Sequence, residues 1–296
     1  MLPYYVLIGA PILFAFAHSL AADRPHFGLN RKNYGIPLFF TLYFLLLALR
    51  SSTIGIDTAS YLSSFERSRY YPWHAIKEAM GWEIGFSYFT KLIACFTDNP
   101  QIYLGIIAAI TVFPIARMYY RESEDDLSTI ALFLIFPLFL MNFSGLRQAI
   151  AIAFAPAVYY ATRERKLWRV FLLVAVATLF HSSAFVLLLL YPVYHMNLGP
   201  KHLWWLIPSF MITFFFSAQL YNLILRLLGT RYVERYAEIS QTGSYTMIIL
   251  FALFVAYAFL APSEDTLDED TRGLRNILVL VLMIQLFAPS ASSRCV

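Results

Sequence analysis

Long apolar runs separated by short polar stretches recur along the whole chain, at roughly 2–20, 34–49, 101–118, 127–143, 147–162, 167–180, 183–195, 203–222, 246–261 and 274–289. A helix that crosses a bilayer needs about 20 mainly apolar residues. The pattern therefore predicts an all-α, polytopic integral membrane protein of about ten transmembrane helices. These form a single transmembrane domain over 1–296, with outer-face loops at 50–100 and 223–245. The segment 84–97 departs from the pattern. It is apolar but short, carries Lys91, and runs into Asp98-Asn99-Pro100. It is expected to be a re-entrant or interfacial helix.

The basic residues orient the spans. With the amino terminus outside and 84–97 not crossing, 12 of the 22 Lys and Arg fall in cytoplasmic loops. Only Arg147 lies in a short outer loop, and short loops decide orientation. The stretch Val170 to Tyr194 is open to two readings. Either it forms two short helices hinged at His181-Ser182-Ser183, or it is one long tilted helix that inverts everything after it. The acidic run Ser263–Asp270 reads as a solvated cytoplasmic loop.

Composition strengthens the membrane reading. Hydrophobic residues make up 59% of the chain and charged residues 14%, and the mean hydropathy is +0.62. Soluble domains hold about 25% charged residues. The net charge of +4 is dispersed, so no nucleic-acid partner is implied. Cys95 and Cys295 make no disulfide framework or metal quartet. The run Leu2–Leu20 lacks a basic leader and a cleavage site, and reads as a retained first helix.

Polar groups at membrane depth or at helix ends are costly and mark candidate sites. Five clusters qualify, and the proposed topology puts all five on the outer face. Arg50 precedes Gly55, which permits a turn and close ligand approach; Asp57 follows, with an Arg50–Asp57 ion pair expected to keep it ionised, and Tyr61 lies beyond. The alternative is an ordinary capped helix end with Arg50 snorkelling. Glu83 opens the 84–97 segment, as a base or as a carboxylate favoured by the helix dipole. Asn142, Arg147 and Gln148 lie between two apolar spans and suit an anion or sugar clamp, because guanidinium binds phosphate oxygens bidentately. His181 sits between apolar flanks, as a satisfied polar group or a proton carrier. Arg231 and Arg235 are one helical turn apart with Glu234 between them, as an anion clamp or as an amphipathic interfacial helix.

Taken in order, Arg50–Phe65, Trp82–Phe86, Asn142–Ala153 and Leu179–Phe185 resemble the EpsG-like family, whose members are similar to Wzy-type polymerases of exopolysaccharide, capsule and O-antigen synthesis. The resemblance implies a glycosyltransferase at the outer face of the bacterial plasma membrane. Its substrate would be an undecaprenyl-pyrophosphate-linked oligosaccharide, with the growing chain passed to a new lipid-linked repeat unit. Further partners would be a chain-length regulator and a flippase, with no cofactor and no metal. Asp57, Glu83 and His181 are the expected acid–base candidates. Arg50, Gly55, Tyr61, Asn142, Arg147, Gln148, Arg231 and Arg235 are expected to bind substrate and pyrophosphate. Relatives continue with further helices, so the ending Ala288–Val296 reads as a shortened or frameshifted terminus. A flippase for the same lipid-linked glycan, a glycan ligase and an acyltransferase are competing readings. Flippases more often carry internal repeats, and none is visible here.

Overall fold

The structure is a computed structural model that describes residues 34–136, 138–217, 219–220, 245–260 and 267–287, together with residues 9, 13 and 223. Among the described residues every regular element is a helix. The pair Arg231 and Arg235 lies outside them, as does the expected span at 2–20 apart from residues 9 and 13. The described residues fall into two compact units, one of residues 1–161 and 168–187, the other of 162–167 and 188–296.

In the first unit, α1 (Gly35–Ala48) is an apolar helix whose Ile36, Phe39, Phe40, Tyr43 and Leu47 are buried. Its first amide, Gly35 N, donates to Asp126 Oδ2 at 2.7 Å, so a carboxylate satisfies one of the free donors at that end. It packs on α5 (Pro100–Glu122) through Ala108, Val112 and Ile115. α5 starts where Asn99 Oδ1 accepts from Gln101 N and where proline takes the first helical position, which needs no amide donor. Next come α6 (Asp126–Ile135) and α7 (Leu138–Ser144), which meet at 53°. Phe133, Phe139 and Phe143 from this pair join Phe39, Phe40 and Tyr43 in one aromatic core, and Tyr43 OH donates to Phe139 O at 2.7 Å.

A second cluster in this unit involves α2 (Thr58–Ser68), the short α3 (Ile76–Met80), α4 (Ile84–Phe96) and α8 (Leu146–Ile152). Its core holds Tyr61, Phe65, Phe86, Ile93, Tyr103, Leu104, Leu146 and Ile150. Phe65 stacks on Tyr103 with centroids 4.3 Å apart. Lys91, the misfit of the apolar segment, turns inward. Its Nζ donates to the carbonyls of Ser68 and Arg69 at 3.0 and 3.4 Å, capping the C-terminal end of α2, where the dipole favours a cation.

α5 is the one described helix long and apolar enough to cross a bilayer, or one of two if α6 and α7 form a bent span. Among the described residues, the expected spans at 34–49, 167–180 and 246–261 appear as shorter helices of 14, 14 and 16 residues. The stretch 147–162 is divided into α8 and α9 (Ala155–Arg163). α10 (Leu167–Phe180) stops before His181, and a 3-10 segment over Ser182–Leu189 leads into α11 (Leu190–Tyr194). Val170 to Tyr194 is thus broken at His181 and is not one long helix. α4 has 13 residues, about 20 Å at 1.5 Å per residue, and is too short to cross.

The second unit packs α12 (Leu203–Phe215), α13 (Tyr245–Leu260) and α14 (Glu269–Phe287) around Leu206, Val255, Phe259, Val279, Leu282 and Leu286. Asn276, fully buried, donates to the carbonyls of Tyr194 and Met196, and Arg275 donates to Leu198 O above the Phe259 ring. The end of the acidic run is not simply solvated. Glu269 pairs with Arg165, and Asp270 pairs with Arg163 and accepts from Tyr194 OH.

Candidate functional site

Residues 50–58 are stapled to the end of α7. Arg50, 3% exposed, donates from Nη1 to Asn142 O at 2.9 Å, and its guanidinium lies 5.8 Å from the Phe143 ring centre. Ile56 N donates to Ser144 Oγ at 3.1 Å, and Thr58 Oγ1 lies 3.0 Å from Phe143 O. This approach is possible because residue 55 is glycine. Its φ is +92°, and a Cβ there would sit 1.9 Å from Phe143 O. The staple explains why Arg50, Gly55 and Asn142 occur together. It also corrects the expected Arg50–Asp57 ion pair: among the described residues no such pair forms, because the guanidinium turns to the Asn142 carbonyl and Asp57 is left exposed.

One turn beyond the staple, α2 carries Tyr61 toward α8. Arg147 Nε donates to Tyr61 OH at 3.3 Å, and the Arg147 guanidinium lies 5.7 Å from the Trp82 ring centre. Trp82 in turn lies 5.0 Å from the Tyr61 ring and 5.3 Å from Phe86. The arginine is therefore held by a phenol, an indole face and a carboxylate: its Nη1 lies 2.5 Å from Glu83 Oε2. Among the described residues its Nη2 makes no hydrogen bond, and the side chain is 28% exposed. A guanidinium fixed on one edge and open on the other can receive an anion.

Glu83 immediately precedes α4. Gly81, with φ +67°, ends α3 in the left-handed conformation and lets the chain turn into Trp82 and Glu83. Gly85 brings the first turn of α4 against the end of α10: a Cβ there would lie 2.7 Å from Leu179 O. That close approach sets Glu83 beside the residues that follow α10. Its Oε1 lies 3.2 Å from His181 Nδ1 and accepts weakly from Ser182 N at 3.4 Å.

The electrostatics follow from these contacts. Burial disfavours the charged form of Glu83. The hydrogen bond with His181 and the positive charge of Arg147 outweigh it and hold the carboxyl down at about 2. Glu83 is ionised throughout the physiological range. Burial pushes the Tyr61 phenol up, against the opposing effect of Arg147, so Tyr61 is a neutral hydroxyl. Since its oxygen accepts from Arg147, its own hydrogen is left to donate elsewhere.

The structure thus gathers Tyr61, Glu83, Arg147 and His181, four of the expected residues, into one continuous polar chain. Arg50, Gly55 and Asn142 form the neighbouring staple, and Gln148 sits half-buried in the first turn of α8. Trp82 and Gly85 lie in the Trp82–Phe86 segment of the family resemblance but are not among the expected site residues. Their signal is the run Gly81-Trp82-Glu83-Ile84-Gly85, in which two glycines bracket a carboxylate and an aromatic.

A family model described as the EpsG family matches residues 33–295. No curated protein and no solved structure matches the chain.

Proposed function

The chain belongs to the EpsG family, a membrane family of the polysaccharide-polymerase type, and from that premise we propose that it extends a lipid-linked glycan at the outer face of the bacterial plasma membrane. The growing chain would pass from undecaprenyl pyrophosphate to the non-reducing end of a lipid-linked repeat unit. The observation that carries this reading is the Arg147 guanidinium, held by Glu83, Tyr61 and Trp82 and open at Nη2. A pyrophosphate leaving group develops negative charge as the glycosidic bond breaks, and a preorganised cation in a site partly screened from water stabilises it. Tyr61 adds a neutral hydroxyl donor beside it. Because guanidinium can carry this charge, the proposal requires no metal.

The acceptor end of the site is the Glu83–His181 pair, where acid–base work belongs. In this reading the spans cross the bilayer about ten times, and α4 lies in the outer interface with Lys91 turned inward. A chain-length regulator and a flippase remain the expected partners.

The test is to incubate the purified full-length protein with a defined lipid-pyrophosphate-linked repeat unit. A ladder of lengthened lipid-linked products supports the proposal. Movement of the substrate across a vesicle bilayer without lengthening identifies a transporter and rejects it.

A further inference from the structure

Three groups at the site, Asp57, Glu83 and His181, have the chemistry to accept a proton, and their surroundings separate them. Asp57 is exposed and lies outside the Tyr61–Arg147–Glu83–His181 chain. Glu83 is engaged at both oxygens, Oε2 by Arg147 and Oε1 by His181 Nδ1 and Ser182 N. A carboxylate so committed is a poor proton acceptor. It is also an acceptor-only group, so the His181 nitrogen that faces it must carry hydrogen. In the neutral imidazole this leaves the lone pair on Nε2, which makes no hydrogen bond among the described residues.

We propose that His181 takes the proton of the acceptor sugar hydroxyl through Nε2, and that Glu83 is a positioning residue that fixes the imidazole in this tautomer while neutralising Arg147. This rests on the polymerase reading above. In the step, the acceptor oxygen forms a bond to the anomeric carbon of the donor sugar. The bond from that carbon to the pyrophosphate oxygen breaks, and the electron pair leaves with the lipid pyrophosphate beside Arg147. The hydroxyl proton goes to Nε2, and Glu83 stays ionised. The arrangement has the logic of a carboxylate orienting a base, recognised by geometry and roles.

Among the described residues, the charged and titratable groups linked to the ring form one line. Glu83 faces it from the start of α4, Arg147 of α8 lies behind Glu83, and Tyr61 of α2 lies beyond Arg147. On the histidine's own side, Ala177 and Phe180 of α10 are apolar. A base must be deprotonated to act, so the acid limb of the pH–rate profile reads whether His181 is that base.

Two experiments on the full-length protein test this. In the ladder assay, His181→Ala is expected to lower kcat by roughly 10²- to 10⁴-fold with little change in KM, and added imidazole to restore part of the rate. Glu83→Gln should lower kcat at least about 10-fold, and Glu83→Asp should recover part of it. The acid limb should persist in Glu83→Gln and disappear in His181→Ala. Wild-type kcat in a folded His181→Ala, or an acid limb that vanishes in Glu83→Gln, overturns the assignment. The second experiment does not need activity, so it separates failure of this inference from failure of the polymerase reading. Nitrogen NMR of ¹⁵N-histidine-labelled protein, with the His181 signal identified by its loss in His181→Gln, is expected to show hydrogen on Nδ1. That preference should weaken in Glu83→Gln. Hydrogen on Nε2 in the wild type, or an unchanged tautomer in Glu83→Gln, overturns the proposal.

Discussion

Arg147 Nη1 lies 2.5 Å from Glu83 Oε2, an ion pair that joins residues 64 apart in the chain. It ties the start of α8 to the start of α4. It also leaves each partner with capacity to spare, Arg147 toward an anion and Glu83 toward His181.

Removing the cation is the most direct probe of that pair. Arg147→Ala should slow growth of the product ladder sharply, and Arg147→Lys should recover only a minor part, because an ammonium cannot hold Glu83 and a second oxygen in the same fork. Loss of one charged hydrogen bond to the leaving group costs about 1.5–3 kcal/mol, or roughly 10- to 150-fold in kcat/KM. A folded Arg147→Ala protein with wild-type kcat/KM would exclude this residue as the pyrophosphate anchor.

Acid should weaken the fold through Glu83. Its pKa is lowered on folding from an ordinary 4.5 to about 2, so the native state favours its ionised form. The stabilisation is complete above the ordinary value and is lost as pH falls toward 2. Thermal unfolding of the wild type in detergent should show a midpoint that drops between those values. Glu83→Gln should lack that component and show a lower midpoint at neutral pH, and equal acid sensitivity in the two proteins would contradict the account.

The two left-handed glycines should respond unequally to a methyl group. Gly81→Ala meets no atom within 4 Å and should cost only the left-handed penalty, about 1–2 kcal/mol. Gly55→Ala drives a Cβ to 1.9 Å from Phe143 O and should disrupt the staple outright. Monodispersity and thermal midpoint read the difference, with Gly55→Ala expected to be the more damaged by a wide margin.

Lys91→Met keeps much of the side-chain volume and deletes the cation under α2. It removes donors to the Ser68 and Arg69 carbonyls, and a cation at a partly buried helix end contributes up to about 2 kcal/mol. The midpoint should fall while kcat of the surviving protein holds. A rise in stability would show that burying the ammonium costs more than its contacts return.

The individual members of the site were readable one at a time, because each is a polar residue at an apolar run's edge. Their assembly was not. Glu83 and His181 are 98 residues apart, and local spacing carries no information about such a contact. The break at His181 was visible as a short polar interruption, but the same interruption also fitted one long helix. Arg50 misled differently. Its nearest carboxylate in sequence is Asp57, yet glycine at 55 lets the backbone come close enough to Phe143 for a carbonyl to compete. Helix lengths were the least legible feature. Apolar runs such as 147–162 read as single spans, whereas α8 and α9 are separated there by a break that hydrophobicity does not mark.

The close approach of Gly85 to Leu179 leaves no clearance for a side chain. A Cβ at residue 85 would lie 2.7 Å from both the Cβ and the carbonyl oxygen of Leu179. The approach of Glu83 to the residues after α10 thus depends on that missing side chain, while Arg147 of α8 reaches Glu83 through an ion pair. A methyl group at residue 85 would act as a wedge, prising the carboxylate from the imidazole.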